Sequence, residues 1–211
     1  MKGKNVMEQN GHLFTIGCST RSLSDFILIL KKYDIQVVAD VRSTPYSKFT
    51  PQFNAENLKT ELYKNNIMYG SFAEEFGARR VEDSVYLNNT VDFNKVIDLD
   101  IFHKGVERIS NGLSAGYSIA LMCTEYNPLD CHRFSLVSKG IKKMLNIPIE
   151  HIFNQNVCKL TEVLENELLI TLNLQPELFE NKDMLVERAY NILAKKVAYS
   201  RIKKPEQIVY A

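Results

Sequence analysis

Short apolar runs, most of them β-branched, recur along this chain, and a helix-patterned or polar stretch separates each from the next. No other feature constrains its fold so tightly. The runs are HLFTIG (12–17), QVVADV (36–41), IMYGSF (67–72), YSIALMC (117–123) and IEHIF (149–153). Runs of this length and composition read as buried strands. After the first, SLSDFILILKKYDI spaces Phe26, Leu30 and Tyr33 helically behind a Ser22–Asp25 capping box. NAENLKTELYKNN opens at Asn54 and stops at an Asn pair. AEEFGARRVEDSVYLNN reads as a long polar loop. A helix is expected from about Asp92 to Ser110, stopped by Asn111-Gly112, and another from about Pro128 to Leu145. Two more helical patterns lie near 161–172 and 181–197. Strands alternating with helices predict an α/β fold. We expect a mostly parallel sheet of about five strands, helices on both faces, and C-terminal helices.

The 211 residues divide into a flexible N-terminus (1–11), an α/β domain (12–158) and a C-terminal helical extension packed on it (159–211). A core of this size needs no disulfide staples. The four cysteines, Cys18, Cys123, Cys131 and Cys158, are irregularly spaced. The opening MKGKNVMEQNGH is polar, and no apolar run approaches a membrane span. Reduced thiols and a cytoplasmic location are the expectation, with no membrane partner. A net charge of +1 rules out a global field toward nucleic acid, although local patches remain.

Parallel sheets bind ligands beyond the carboxyl ends of their strands. Here those ends carry Cys18-Ser19-Thr20-Arg21, Asp40 with Arg42-Ser43-Thr44, Cys123-Thr124-Glu125-Tyr126, and Asn154-Gln155-Asn156. Polar and cationic residues gather at one edge, which predicts a cleft, although every loop is polar.

The densest stretch is ALMCTEYNPLDCHRF (120–134). Asn127, Pro128 and Asp130 have the form of an N-cap, a first helical residue and an acidic N3 partner. His132 and Arg133 then fall early in a helix, where free N–H groups and an arginine favour an anion. Cys131 reads as a small buried filler. Glu125 is placed to orient an arginine or act as a general base, and an ordinary Glu–Arg pair is the plainer reading. Cys123 is a candidate nucleophile, although no glycine loosens its loop and no arginine lies six residues on. Zinc suits Cys123, Cys131 and His132 chemically. Against it, C-x7-C-H is an unfamiliar spacing, and consecutive helical residues diverge by about 100°. No metal or cofactor is therefore expected, with zinc the alternative left open.

Four stretches together resemble the uncharacterised family catalogued as domain of unknown function 488: TIGCSTRSLSDF, VVADVRSTPYSKFTPQFN, IMYGSFAEEFGARR and ALMCTEYNPLDCHR. The resemblance spans about residues 12–155. It implies a compact α/β domain and no particular reaction. Its characteristic positions here are Gly17, Ser19, Arg21, Asp40, Arg42, Pro45 and Ser47 in the first half. Cys123, Glu125, Cys131, His132 and Arg133 follow in the second. Members usually carry histidine where this chain has Cys18, and often glycine where it has Ala78. The candidate site is thus Glu125, Asp40 and Cys123 for chemistry, with Ser19, Arg21, Arg42, Ser47, His132 and Arg133 for binding.

The expected function is the binding of an anionic small molecule, nucleotide or phosphate group in this cleft, with enzymatic activity left open. A nucleic-acid-binding module is the alternative. It would use Arg79-Arg80 near Phe72, Phe76 and Tyr86, and the basic AKKVAYSRIKKPEQ around Tyr199. A third reading is a scaffold domain, with the helix carrying Leu185, Ala189, Ile192 and Val197 packed on its own sheet or in a homodimer.

Overall fold

The structure, a computed structural model, describes residues 11–201. The expected flexible N-terminus lies almost wholly outside them, as do Lys203 and Lys204 of the basic C-terminal stretch. The elements are β1 (Leu13–Gly17), α1 (Leu23–Lys32), β2 (Val37–Asp40), α2 (Ala55–Lys64), β3 (Met68–Ser71), α3 (Ala73–Phe76), β4 (Tyr86–Leu87), β5 (Thr90–Val91) and α4 (Phe93–Ile97). Then come α5 (Asp100–Ser114), β6 (Ile119–Cys123), a π-helical turn (Arg133–Ser138), α6 (Lys139–Leu145), β7 (Glu150–Ile152), β8 (Cys158–Leu160), α7 (Thr161–Thr171) and α8 (Lys182–Val197).

One sheet of six strands runs in the order β3-β2-β6-β1-β7-β8. All neighbours are parallel except β8, which pairs antiparallel with β7. The five expected strands are present and β8 is a sixth. Its sequence, CKL, is too short and too polar to signal a strand. The stretch read as loop (73–89) holds α3 and β4, and β4 pairs with β5 just beyond it in a short hairpin.

Alternation along the strands feeds two cores. Phe14, Ile16, Val38, Ala120 and Met122 face α1 and α2, where Phe26, Leu30, Leu58 and Leu62 are sealed from solvent. Leu13, Ala39, Ile119, Leu121 and Cys123 face α4, α5 and α6 through Val96, Phe102, Ile109 and Ile141. Each such side chain stabilises by roughly 1.5–3 kcal/mol relative to exposure. A third cluster joins Phe134 of the π turn to Leu164, Leu168, Ala189 and Leu193 of α7 and α8. So α8 packs on its own fold through Leu185, Ala189 and Leu193, while Ile192 stays exposed.

Two helices depart from the expected pattern. The segment after Thr90 breaks at Asp98 into α4 and α5, and α5 runs through Asn111-Gly112 to Ser114. The stretch from Pro128 is not one helix. It is a 3-10 turn (Pro128–Asp130), an extended Cys131, the π turn, and then α6.

The topology positions the site. The chain leaves β1 and β2 through α1 and α2 on one face, and leaves β6 through the π turn and α6 on the other. Since β6 lies between β1 and β2, connections diverge at its carboxyl end, which is where open α/β sheets leave a crevice.

Candidate functional site

A hollow of about 290 Å³ opens at the carboxyl ends of β2 and β6. Arg42, Arg79, Cys123, Glu125, Cys131 and His132 line it, with Val197 and Tyr199 at the rim. The β1 side is shut. Gly17 pairs with Cys123, and a Cβ on Gly17 would lie 1.8 Å from the Glu125 carbonyl oxygen. Only glycine lets the 125–126 backbone fold over β1 so closely.

Asn127 caps the 3-10 turn by accepting from the Leu129 N–H at 3.1 Å. The turn ends at Cys131 with φ −135° and ψ 145°, an extended residue, and helical geometry starts only at His132. The 100° divergence expected of consecutive helical residues therefore does not apply. Cys131 Sγ lies 3.8 Å from His132 Nδ1, and Cys123 Sγ lies 3.6 Å from the same nitrogen. All three side chains are buried. His132 Nε2 lies 3.1 Å from the Val41 carbonyl. A carbonyl only accepts, so Nε2 carries a proton and Nδ1 faces the sulfurs. Burial lowers the His132 pKa, and the hydrogen bond and charge of Cys131 outweigh it and raise it.

Glu125 is an exposed residue whose carboxyl turns inward, with Oε2 3.2 Å from Cys123 Sγ. Loss of water raises its pKa, and the neighbouring Cys131 raises it further. Burial alone would raise Cys131. The S–H of Cys123 and the charges of Arg133 and His132 outweigh burial and bring Cys131 well below the ordinary thiol range. That hydrogen bond to Cys131, and then burial, push Cys123 well up.

Behind the hollow, Asp40 and Arg42 form a buried two-point ion pair at 2.8 and 2.6 Å. Asp40 also accepts from Tyr69 Oη at 2.9 Å and from the Arg42 N–H at 3.2 Å. Its carboxylate is saturated and holds Arg42 in place. Arg42 Nη2 also donates to the Phe53 carbonyl at 2.8 Å, and Nη1 takes none of these bonds. Arg133 is fully buried and clamps the carbonyls of Glu125 (2.6 Å) and Tyr126 (2.9 Å).

Of the residues singled out in the sequence, Arg42, Cys123, Glu125 and His132 meet in the hollow. Asp40 and Arg133 stand behind it. Arg21 lines a different depression with Asn154 and Gln155, where it donates to the Gly17 and Phe153 carbonyls and lies over the Tyr126 ring. Ser19 takes a left-handed turn with φ 48° beside Thr124. Ser47 accepts from the N–H groups of Phe49 and Thr50 and shapes its own loop. Cys18 sits in the opposite core, its thiol pushed up to about 11 by burial.

Two members of the hollow stand outside the candidate catalytic and binding set read from the sequence, where Arg79 is named only for nucleic acid and Cys131 as filler or a zinc alternative. Arg79 arrives from the α3–β4 loop, its N–H held by Ser43 Oγ at 2.9 Å and its guanidinium over Tyr199. Cys131 passes for filler because nothing in its immediate sequence marks it as extended.

The family catalogued as domain of unknown function DUF488 matches residues 22–139, more than half of the chain. The chain belongs to the DUF488 family. The DUF488 match takes in the ends of β2 and β6, and so every lining residue of the hollow except Val197 and Tyr199. Neither the curated proteins nor the solved structures compared with it give a match. No helix among the described residues is long and apolar enough to cross a membrane.

Proposed function

We propose that this DUF488 protein binds a small anionic molecule, one bearing a phosphate or carboxylate, in the hollow at the ends of β2 and β6. The observation that carries this reading is the meeting of two arginines with Glu125, His132 and two cysteines around one small crevice. Arg79 is exposed, and among the described residues its guanidinium is engaged only by the Tyr199 ring, which leaves its N–H groups to grip an anion. Arg42 is fixed by Asp40 and offers Nη1. Glu125 is close enough to exchange a proton with a bound ligand, which is the basis for an enzymatic role. A volume of about 290 Å³ suits a compact ligand, at the low end for small-molecule sites.

The nucleic-acid reading has less support. Arg80 is buried and forks onto Glu82, Arg201 pairs with Asp83 over Tyr86, and Lys196 pairs with Asp130. These cations, among the described residues, are engaged within the protein.

The test is calorimetric titration with inorganic phosphate and with a nucleoside monophosphate, on wild type and on Arg79→Glu. Affinity should fall by about tenfold or more in the variant, tenfold being ~1.4 kcal/mol. Equal binding by both proteins, or no binding to either, overturns the reading.

A further inference from the structure

We infer that Cys123, Cys131 and His132 form a binding site for a thiophilic divalent transition metal, zinc being the natural occupant, at the floor of the hollow. The inference stands on the three ligand atoms and does not need the anion.

The geometry is close to that of an assembled centre. A tetrahedral zinc with Zn–S bonds of about 2.3 Å and a Zn–N bond of about 2.0–2.1 Å holds sulfur and nitrogen about 3.6 Å apart and two sulfurs about 3.8 Å apart. Here the sulfur–nitrogen separations are 3.6 and 3.8 Å. All three ligand atoms lie within 4.8 Å of one another. Small side-chain rotations close the remainder, and no backbone needs to move.

The surroundings fit as well. A metal-bound histidine usually donates its other ring N–H to a carbonyl or carboxylate, which fixes the tautomer. His132 does this through Nε2 to Val41. The Arg133 N–H donates to Cys131 Sγ at 3.4 Å, which orients that sulfur. Charge closes too. Two thiolates offset a divalent ion, so the metal and its sulfur ligands together carry no net charge where net charge is costly.

Three protein ligands leave the fourth position open, toward Glu125 and the hollow. Structural zinc sites fill all four positions with protein, whereas reactive ones keep one for water or ligand. The order ligand-x-Glu, then Pro, then two further ligands sets a carboxylate beside the open position. Zinc deaminases likewise set a non-ligating glutamate beside their metal. Cys18, on the opposite face of the sheet, takes no part.

The test uses the full chain, reduced and stripped with chelator, and adds cobalt(II) with no anionic ligand present. We expect one cobalt per chain and an intense near-ultraviolet thiolate-to-cobalt band, displaced by one equivalent of zinc. Elemental analysis of protein purified without chelator should find zinc near stoichiometry. Cys131→Ser should lower the zinc affinity by tenfold or more, and Glu125→Gln should retain the band. Circular dichroism identifies any variant that fails to fold, and His132→Gln then serves as the second ligand variant. Absence of the band in folded wild type, or a zinc affinity unchanged from wild type in folded Cys131→Ser or His132→Gln, overturns the site. Phosphate titration plays no part here, so loss of the anion reading leaves this result standing, and the reverse holds.

Discussion

Two buried histidines, His132 at the end of β6 and His151 in β7, occupy environments that look alike in burial and differ in completeness. Both carry their proton on Nε2. In His151 that N–H meets Thr161 Oγ1 at 3.0 Å, Thr161 passes its own proton to the Ile149 carbonyl, and Thr15 Oγ1 donates to Nδ1 at 2.8 Å. Every polar valence is closed within the protein, and Phe134 covers the ring edge-on. In His132 the N–H is closed by Val41, while Nδ1 faces two sulfurs and a hollow. A satisfied buried histidine is architecture. His132, whose Nδ1 faces two sulfurs at 3.6 and 3.8 Å, is the one on which the proposed metal site rests.

Arg133 stands between the two regions. Its removal is the strongest way to break the comparison. Arg133→Met takes the donors from the part-buried carbonyls of Glu125 and Tyr126, each loss costing ~1–3 kcal/mol, so a loss of about 3 kcal/mol is expected in urea unfolding. The same charge helps depress His151, so the variant should also bring the folded pKa of His151 back up. A change smaller than about 1 kcal/mol would mean the clamp is dispensable.

Acid comes next. Burial first, then the charges of Arg133 and Lys142, lower the pKa of His151 to about 3 from its usual 6.5. Above the unfolded value both states are neutral and the contribution to stability is complete. Below it the unfolded chain takes up a proton that the folded chain refuses, so stability falls by ~1.4 kcal/mol per pH unit until about pH 3. Urea midpoints should drop between about pH 7 and about pH 5 by ~2 kcal/mol from this residue alone. Arg133→Met should end this fall at a pH above about 3, and an unchanged end point would detach Arg133 from His151.

Thr15→Val removes one closure and keeps the shape. It leaves Nδ1 unpaired, for an expected cost of ~1–3 kcal/mol, with no change in metal or anion binding. An effect on either would mean that the two regions are not separate. Smallest is Arg79→Ala. Its side chain is exposed and outside any ion pair, so stability should move by no more than ~0.5 kcal/mol while phosphate affinity drops. A larger loss of stability would make Arg79 part of the fold.

The sheet was legible because parallel strands buried on both faces have to be apolar throughout, as TIG and IALMC are. Its last strand was not, since Cys158–Leu160 pairs on one side only and carries Lys159. Ser22 was a sound helix start because its hydroxyl meets Asp25 directly, at 2.7 Å to the carboxylate. The position of the crevice followed from strand order. Its contents followed less well, because residue type alone does not say whether an arginine is engaged. Arg21 and Arg133 serve backbone carbonyls and Arg42 serves Asp40, while the uncommitted Arg79 comes from a loop far along the chain. The pairing of Cys131 with His132 turned on one backbone conformation, extended and not helical, that spacing rules do not carry.

The strand order also has a consequence for how the chain assembles. β6 sits in the middle of the sheet, yet it is made after both of its neighbours, with some eighty residues between β2 and itself. A nascent chain that has not reached Ile119 holds two strand edges with nothing to join them, and such edges are sticky. The segment that completes the sheet is also the one that delivers Cys123, so on the ribosome closure of the central gap and arrival of the first sulfur are one event.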